Sequence, residues 1–434
     1  MWTLVLDKRA QVFYTISIDI VGFNSQETDI HMRLKKTVLL VLISIVFLGA
    51  LSQASEIGKA FSEGKFTTQL RYRFELVDQE GINLKAKAST ARFRLGYTTE
   101  KFAGFSLHAD MEMIRVIGKE LYNSTDNGKV NFPVVADPKD TELNQAFLSY
   151  SGIKGLEFTI GRQRIKLDND RFIGNVGWRQ NEQTYDAFRF SNTSIPMATI
   201  TFIRITNVNR IFGAHHRSRS DLDLNTSVLH VSYNSPLGKL TAYNHFFDNQ
   251  DVPETSHQNI GIRFTGNRRV SESARLLYTL EYTQQNRFKD GAIGLNASYS
   301  FIELGFSVKN FSLKGGYESL GGDGTYAFST PLATLHAFNG WADIFLATPA
   351  HGLVDQYIAF NFQSSSEKRP LTFRAVYHIF KSEIDNLDYG HELDLLAQII
   401  LRKGYLLFIK YAHYQTRGYA ATTKKFWAGF QFNL

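Results

Sequence analysis

From Lys65 to the C-terminus, apolar side chains return at every second position, in segments of about ten residues. In the first segment Leu70, Tyr72, Phe74 and Leu76 alternate with Gln69, Arg71, Arg73 and Glu75. In the second, Ala91, Phe93, Leu95 and Tyr97 alternate with Thr90, Arg92 and Arg94. Near the end Leu371, Phe373, Ala375 and Tyr377 oppose Thr372 and Arg374, and Phe426, Ala428, Phe430, Phe432 and Leu434 oppose Lys425, Gln431 and Asn433. A period of two belongs to a strand with one apolar and one polar face. It predicts eighteen strands: 65–76, 88–99, 104–116, 143–151, 154–165, 183–191, 196–208, 224–234, 237–248, 257–267, 272–285, 292–307, 311–319, 353–364, 369–380, 390–402, 404–415 and 423–434.

The connections alternate too. Those after even-numbered strands are short, as at Gly152-Ile153, Ser235-Pro236, Lys309-Asn310 and Lys403. Those after odd-numbered strands are generally longer and more polar: 117–142, 166–182, 209–223, 249–256 and 320–352. Short turns on one side and long loops on the other predict an all-β fold. It is a transmembrane antiparallel β-barrel of about 18 strands, with short periplasmic turns and long extracellular loops. An even count puts both termini on the periplasmic side. A soluble β-sandwich has no reason to alternate its loop lengths so regularly.

Composition agrees. Aromatic residues make up 14%, with 35 Phe and 20 Tyr, while Pro is only 8, so strand formers are rich and sheet breakers few. Mean hydropathy is −0.21, too polar for a helical membrane protein but not for a barrel, where only alternate strand residues meet lipid. The absence of Cys excludes a disulfide framework, a thiolate metal site and a Cys nucleophile. The 12 His show no metal spacing, and neither a metal nor another cofactor is expected. The net charge of +7 is a mild excess, which does not point to nucleic acid.

Ahead of the strands stands a leader. Met32-Arg-Leu-Lys-Lys36 precedes an apolar run from Val38 to Leu51, and Ser52-Gln-Ala54 offers small residues at a cleavage site. The run falls short of the roughly 20 residues of a permanent transmembrane helix. Residues 32–54 therefore read as a signal peptide, residues 1–31 as an over-extended start, and 55–434 as the barrel.

A charge facing mid-bilayer lipid costs about 2–4 kcal/mol, so charged strand residues are expected in the lumen. Arg71, Arg73, Arg92, Arg94, Arg263, Arg374 and Lys410 should line it, with Asp110, Glu112, Glu281, Glu318, Glu392 and Asp394 as partners. Guanidinium groups on a low-dielectric wall focus positive potential and bind carboxylates; the other reading is a charge-paired wall that keeps the pore wet. One strand breaks the rule: Leu156, Phe158 and Ile160 continue in phase to Arg162 and Arg164. Either the strand leaves the membrane there, or a bulge at Gly161 turns both arginines inward to join the lining. The polar loop 166–182 carries Asp168, Asp170, Arg171, Trp178 and Arg179. It forms a constriction if it folds inward, or an extracellular loop held by its own salt bridges. Loop 320–352, with Trp341 and Asp343, reads as a lid or plug against the mouth.

Several blocks resemble the alginate export family: Leu143-Asn-Gln-Ala146, Gly161-Arg-Gln-Arg164, Arg171-Phe172, Gly177-Trp-Arg-Gln-Asn-Glu182, Tyr185-Asp186 and Asn207-Val-Asn-Arg210. So do Gly321-Gly-Asp-Gly324, the run Thr330 to Trp341 and Asp388-Tyr-Gly-His-Glu-Leu-Asp394. The resemblance implies an eighteen-stranded barrel in the bacterial outer membrane. The expected partners are outer-membrane lipid, the barrel-assembly machinery during biogenesis, and an anionic saccharide or small anionic solute passing through. A structural or adhesive barrel is the second reading. A lipid hydrolase is the third, because His230 and Ser232, with Asn234, weakly resemble the arrangement of outer-membrane phospholipase; Leu229, Val231 and Tyr233, however, take the lipid face and turn His230 inward. No Gly-x-Ser-x-Gly, HExxH or phosphate-loop pattern is present.

Overall fold

The computed structural model describes residues 56–433, apart from Arg217, Ser365, Glu367 and Lys368. The expected leader, residues 32–54, and residues 1–31 lie outside the described residues. The chain divides into two units, and the barrel belongs to the second, Ala60–Leu434.

The strands are β1 (Lys65–Gln79), β2 (Ala86–Thr98), β3 (Phe105–Val116), β4 (Asp140–Tyr150), β5 (Leu156–Gln163), β6 (Thr184–Asn192), β7 (Ala198–Asn209), β8 (Asp221–Ser235), β9 (Gly238–Phe247), β10 (His257–Arg269), β11 (Ala274–Arg287), β12 (Asn296–Val308), β13 (Phe311–Leu320), β14 (Leu353–Gln363), β15 (Leu371–Lys381), β16 (Asp388–Arg402), β17 (Tyr405–Thr416) and β18 (Thr423–Asn433). Each pairs antiparallel with its neighbour in sequence, and β1 pairs with β18, so the sheet closes on itself. All eighteen predicted strands are present. Closure leaves no edge strand, so the strands' backbone groups find partners without water, as a bilayer demands. Among the described residues no helix is long and apolar enough to cross a membrane; this transmembrane barrel crosses with strands.

The two faces divide as the alternation requires. Leu70, Phe93, Leu95, Ile302, Leu313 and Phe430 are exposed on the outside, while Arg73, Glu75, Arg92, Glu112 and Trp427 are buried inside. Two-residue turns such as 236–237, 309–310 and 403–404 close one end. At the other end stand the segments 117–139, 164–183, 210–220 and 321–352.

Arg162 and Arg164 part company. Thr159 and Gln163 are buried inside, Ile160 is exposed outside, and Arg162 keeps the phase of Ile160. Of the two readings of Arg162, the one that placed it among the lumen lining does not hold: it stands on the outer register near the strand's end, where Asp186 directly opposite accepts from its Nε (2.8 Å) and Nη2 (3.1 Å). Arg164 lies past the end of β5 and turns to the buried Glu182. Gly161 makes the divergence possible: its φ of 117° suits glycine alone, and a Cβ there would stand 2.4 Å from the Ala146 carbonyl oxygen.

Two outcomes test this architecture. Because the chain has no Cys, a cysteine at the exposed loop position Asp126 should react with an impermeant thiol reagent on whole cells, and one at Lys309 should not; the reverse pattern would invert the barrel. Gly161→Ala should destabilise the barrel by about 1–3 kcal/mol, read as a lower temperature for conversion from the compact to the unfolded band on gels.

Candidate functional site: a lumen filled by two loops

Arg71 on β1 lies directly opposite Arg92 on β2, and Arg94 lies opposite Glu112 on β3. Together with Arg73 they form one inward-facing cluster. Four guanidiniums so close repel one another and need acceptors. The loop 164–183 supplies them by folding into the barrel. Arg71 Nη1 donates to the carbonyl oxygens of Gly177 (2.9 Å) and Arg179 (3.2 Å), Arg92 Nη1 donates to that of Gln180 (2.8 Å), and Arg73 bonds that of Trp178. The loop therefore lies inside the barrel against the wall arginines.

The ionic compensation is uneven. Arg73 pairs with Asp137, from the 117–139 segment, and Arg94 pairs with Glu112 and with Glu182 at 3.0 Å. Beyond the loop carbonyls, Arg71 and Arg92 bond the neutral amides Gln431 and Gln69. Among the described residues neither has a carboxylate at ion-pair distance. Glu182 is held by Arg164 Nε (2.9 Å), Asn144 Nδ2 (2.8 Å) and Asn175 Nδ2 (2.8 Å). Burial alone would raise the Glu182 carboxyl, but Arg94 and Arg164 beside it bring it down to about 2.

The remaining residues of the loop reach across the lumen. Asp168 bonds the His230 ring at Nε2 (2.8 Å) and accepts from Lys239 Nζ (2.9 Å). Asp170 pairs with Lys166 at 3.0 Å. Arg171, fully buried, lies 2.8 Å from Glu318 and donates to Asn339 Oδ1 (3.1 Å). Arg179 joins Glu75 and Asp343, each at 3.1 Å. Trp178 stacks flat on His336 at 4.9 Å and meets Trp427 edge-on at 5.8 Å.

The segment 321–352 is the second inward body. Gly174 N donates to the Leu332 carbonyl (2.9 Å) and Thr334 N to that of Asp170 (2.9 Å), so the two loops bind each other. Two carboxylates of β16 cap its backbone: Glu392 accepts from Ala342 N (2.6 Å) and Asp394 from Trp341 N (3.1 Å). Asp343 is the lock. Its side chain, almost wholly buried, accepts from Lys425 (2.7 Å), Arg179 and His336 Nδ1 (2.6 Å). Burial would raise its carboxyl; His336, Lys425 and Arg179 hold it well below the ordinary range. Burial pushes His336 down to about 3, and its neutral ring accepts from Lys410 Nζ (2.7 Å) at Nε2. Lys410 also sits 3.6 Å from the centre of the Trp341 ring, and Arg374 5.7 Å from it. Arg263 pairs with Glu281 on the wall. Val176 and Asp343 both take left-handed backbone conformations, at φ 48° and 61°, which only dense packing sustains.

Sequence reasoning left out Asp137, Glu182, His336 and Trp427 from the site. Glu182 closes a resembling block and was within reach. Asp137 sits in a polar loop with no periodicity to place it.

Comparison with known proteins now adds to the geometry. A family model described as alginate export matches residues 62–286. No curated protein sequence matches the chain. Among solved structures, OccAB2 of Acinetobacter baumannii superposes with a TM-score of 0.67 at 14% identity, over 86% of this chain and 99% of that one. OccAB4 of the same organism gives 0.66 at 11%, over 86% and 98%. Pseudomonas aeruginosa OpdK, solved with vanillate, gives 0.65 at 10%, over 86% and 99%. At these identities the likeness is one of fold.

Asp343→Asn should release the second loop. Breaking a buried ion pair costs about 3 kcal/mol or more, on the order of a hundredfold in the closed-to-open ratio, read as more frequent high-conductance openings in a planar bilayer. In the native chain the depressed Asp343 carboxyl keeps this lock formed from neutral pH down through the ordinary aspartate value near 3.8. It is lost only below that value, as the pH falls through the folded-state pKa; openings that rise already between pH 7 and 5 would contradict the assignment.

Proposed function

This chain belongs to the alginate export family, and on that premise we propose that it is a channel of the bacterial outer membrane through which small anionic solutes pass passively. Outer-membrane location and the porin class come with the family. The anionic cargo is our reading, and one observation carries it: Arg71 and Arg92 face each other in the lumen and bond only neutral acceptors. The positive potential there is satisfied in hydrogen bonds but not cancelled in charge. Arg374 and Lys410, likewise without a carboxylate at ion-pair distance among the described residues, extend it. Carboxylates bind guanidinium forks bidentately, so an anion can take over the places now held by loop carbonyls.

The two inward loops argue for small solutes over a polysaccharide chain. Trp178 and Trp427 pack on His336, Lys410 joins them to Trp341, and a polymer would have to displace both loops. The vanillate held by OpdK is an anion of the favoured size, on the same fold. A hydrolase is disfavoured because His230 and Ser232 are both buried on the inner face, away from lipid, and the His230 Nε2 bonds Asp168 rather than the Ser232 hydroxyl. Insertion through the barrel-assembly machinery is proposed from the alternating aromatic pattern of β18.

Reconstituted in a planar bilayer under a potassium chloride gradient, the chain should give a reversal potential on the anion-selective side, weakening as salt rises. Arg71→Gln with Arg92→Gln should cut that preference severalfold while leaving the barrel heat-modifiable. A folded double variant of unchanged selectivity would assign the preference elsewhere, and cation selectivity in the native chain would overturn the reading.

A further inference from the structure

A cavity of about 450 Å³ lies at the loop end of the barrel, within the range of small-molecule sites. The outer ends of β1 and β18 and the segments 117–139, 164–183, 210–220 and 321–352 all contribute to it. Its walls are largely apolar, through Val134, Phe212, Ile344 and Leu346. Its cations are not apolar at all. Arg210 and Arg219 lie over the Phe212 ring, with their guanidinium carbons 4.9 and 5.6 Å from its centre. Arg210 N donates to the Ser220 carbonyl (2.8 Å), which closes the base of the 210–220 segment and brings Arg219 beside Arg210.

Among the described residues no carboxylate lies at ion-pair distance from either guanidinium. The one acid lining the cavity is Asp343, and its oxygens are taken by Lys425, Arg179 and His336. Two like charges gathered over one ring, beside apolar surface, lack an anion. Burial, and after it the neighbouring Arg219, push Arg210 below the ordinary arginine value, a cost that a bound anion would relieve.

We propose that this cavity is a docking site at the outer mouth for a small carboxylate with a flat apolar body. The carboxylate sits between Arg210 and Arg219, and the body lies against the wall of Val134, Ile344 and Leu346. A sugar acid is the poorer fit: the hydroxyls laid against Val134, Ile344 and Leu346 would lose water without gaining a partner. The inference narrows the solute class of the proposed channel, but the binding itself does not require conduction.

The test uses the full mature chain in lipid nanodiscs, so that detergent does not fill the cavity, with benzoate as the probe. Benzyl alcohol has the same body without charge; galacturonate has the charge without the apolar body. Isothermal titration should show saturable benzoate binding at least about tenfold tighter than either control and weaker at high salt. Arg219→Gln should reduce it about tenfold or more. Arg219 is exposed, so this variant should fold even if Arg210→Gln does not. Unchanged binding in folded Arg219→Gln, or galacturonate binding as tightly as benzoate, overturns the proposal; so does equal binding of benzyl alcohol. Chloride conductance of the same preparation separates the two readings. Conduction without saturable benzoate binding sinks the site alone, whereas benzoate binding without conduction sinks the channel and leaves the site.

Discussion

Four guanidiniums on two adjacent strands must find acceptors inside a barrel wall, and the backbone of one loop serves three of them, Arg71, Arg73 and Arg92. Each Arg-to-carbonyl bond is worth about 1.5–3 kcal/mol net, and leaving a buried guanidinium unpaired costs at least as much. That requirement draws residues 177–180 across the lumen. Once there, the same loop presents Asp170, Gly174 and Val176 to the second loop, which binds along it through backbone and Thr334. Asp343 then locks that second loop to β18. The filled interior follows from the arginines, link by link.

The blocks that resemble the alginate export family gain a common physical meaning. Leu143-Asn-Gln-Ala146 holds Glu182 through Asn144 and holds Arg164 N through Gln145. Gly177 to Glu182 is the stretch the arginines grip. The block from Asp388 to Asp394 caps the backbone at Trp341 and Ala342. Segments far apart in the chain therefore form one network whose job is to hold the loops inward. Carbonyls satisfy the hydrogen bonds of Arg71 and Arg92 without cancelling their charge.

The barrel was legible in the sequence because its code is local. Alternation of period two names a strand and its two faces from a few consecutive residues, and a closed antiparallel barrel needs only neighbouring strands to pair. Arg71, Arg73, Arg92 and Arg94 take the face opposite the apolar stripe by the same rule, but the burial of Arg73 and Arg92 came only with the inward loop. Arg162 escaped it because one glycine at φ 117° and an acid opposite, Asp186, let a charge stay on the outer register.

What the sequence by itself determined is the wall: eighteen strands, their order, and which side chains face inward. What only the tertiary structure decided is the content of the lumen. A polar loop can lie outside among its own salt bridges or inside on distant partners, and both satisfy the same local pattern. The choice is made by acceptors far away in the chain, Gly177 and Arg179 for Arg71 and Gln180 for Arg92, and no periodicity records a contact of that range.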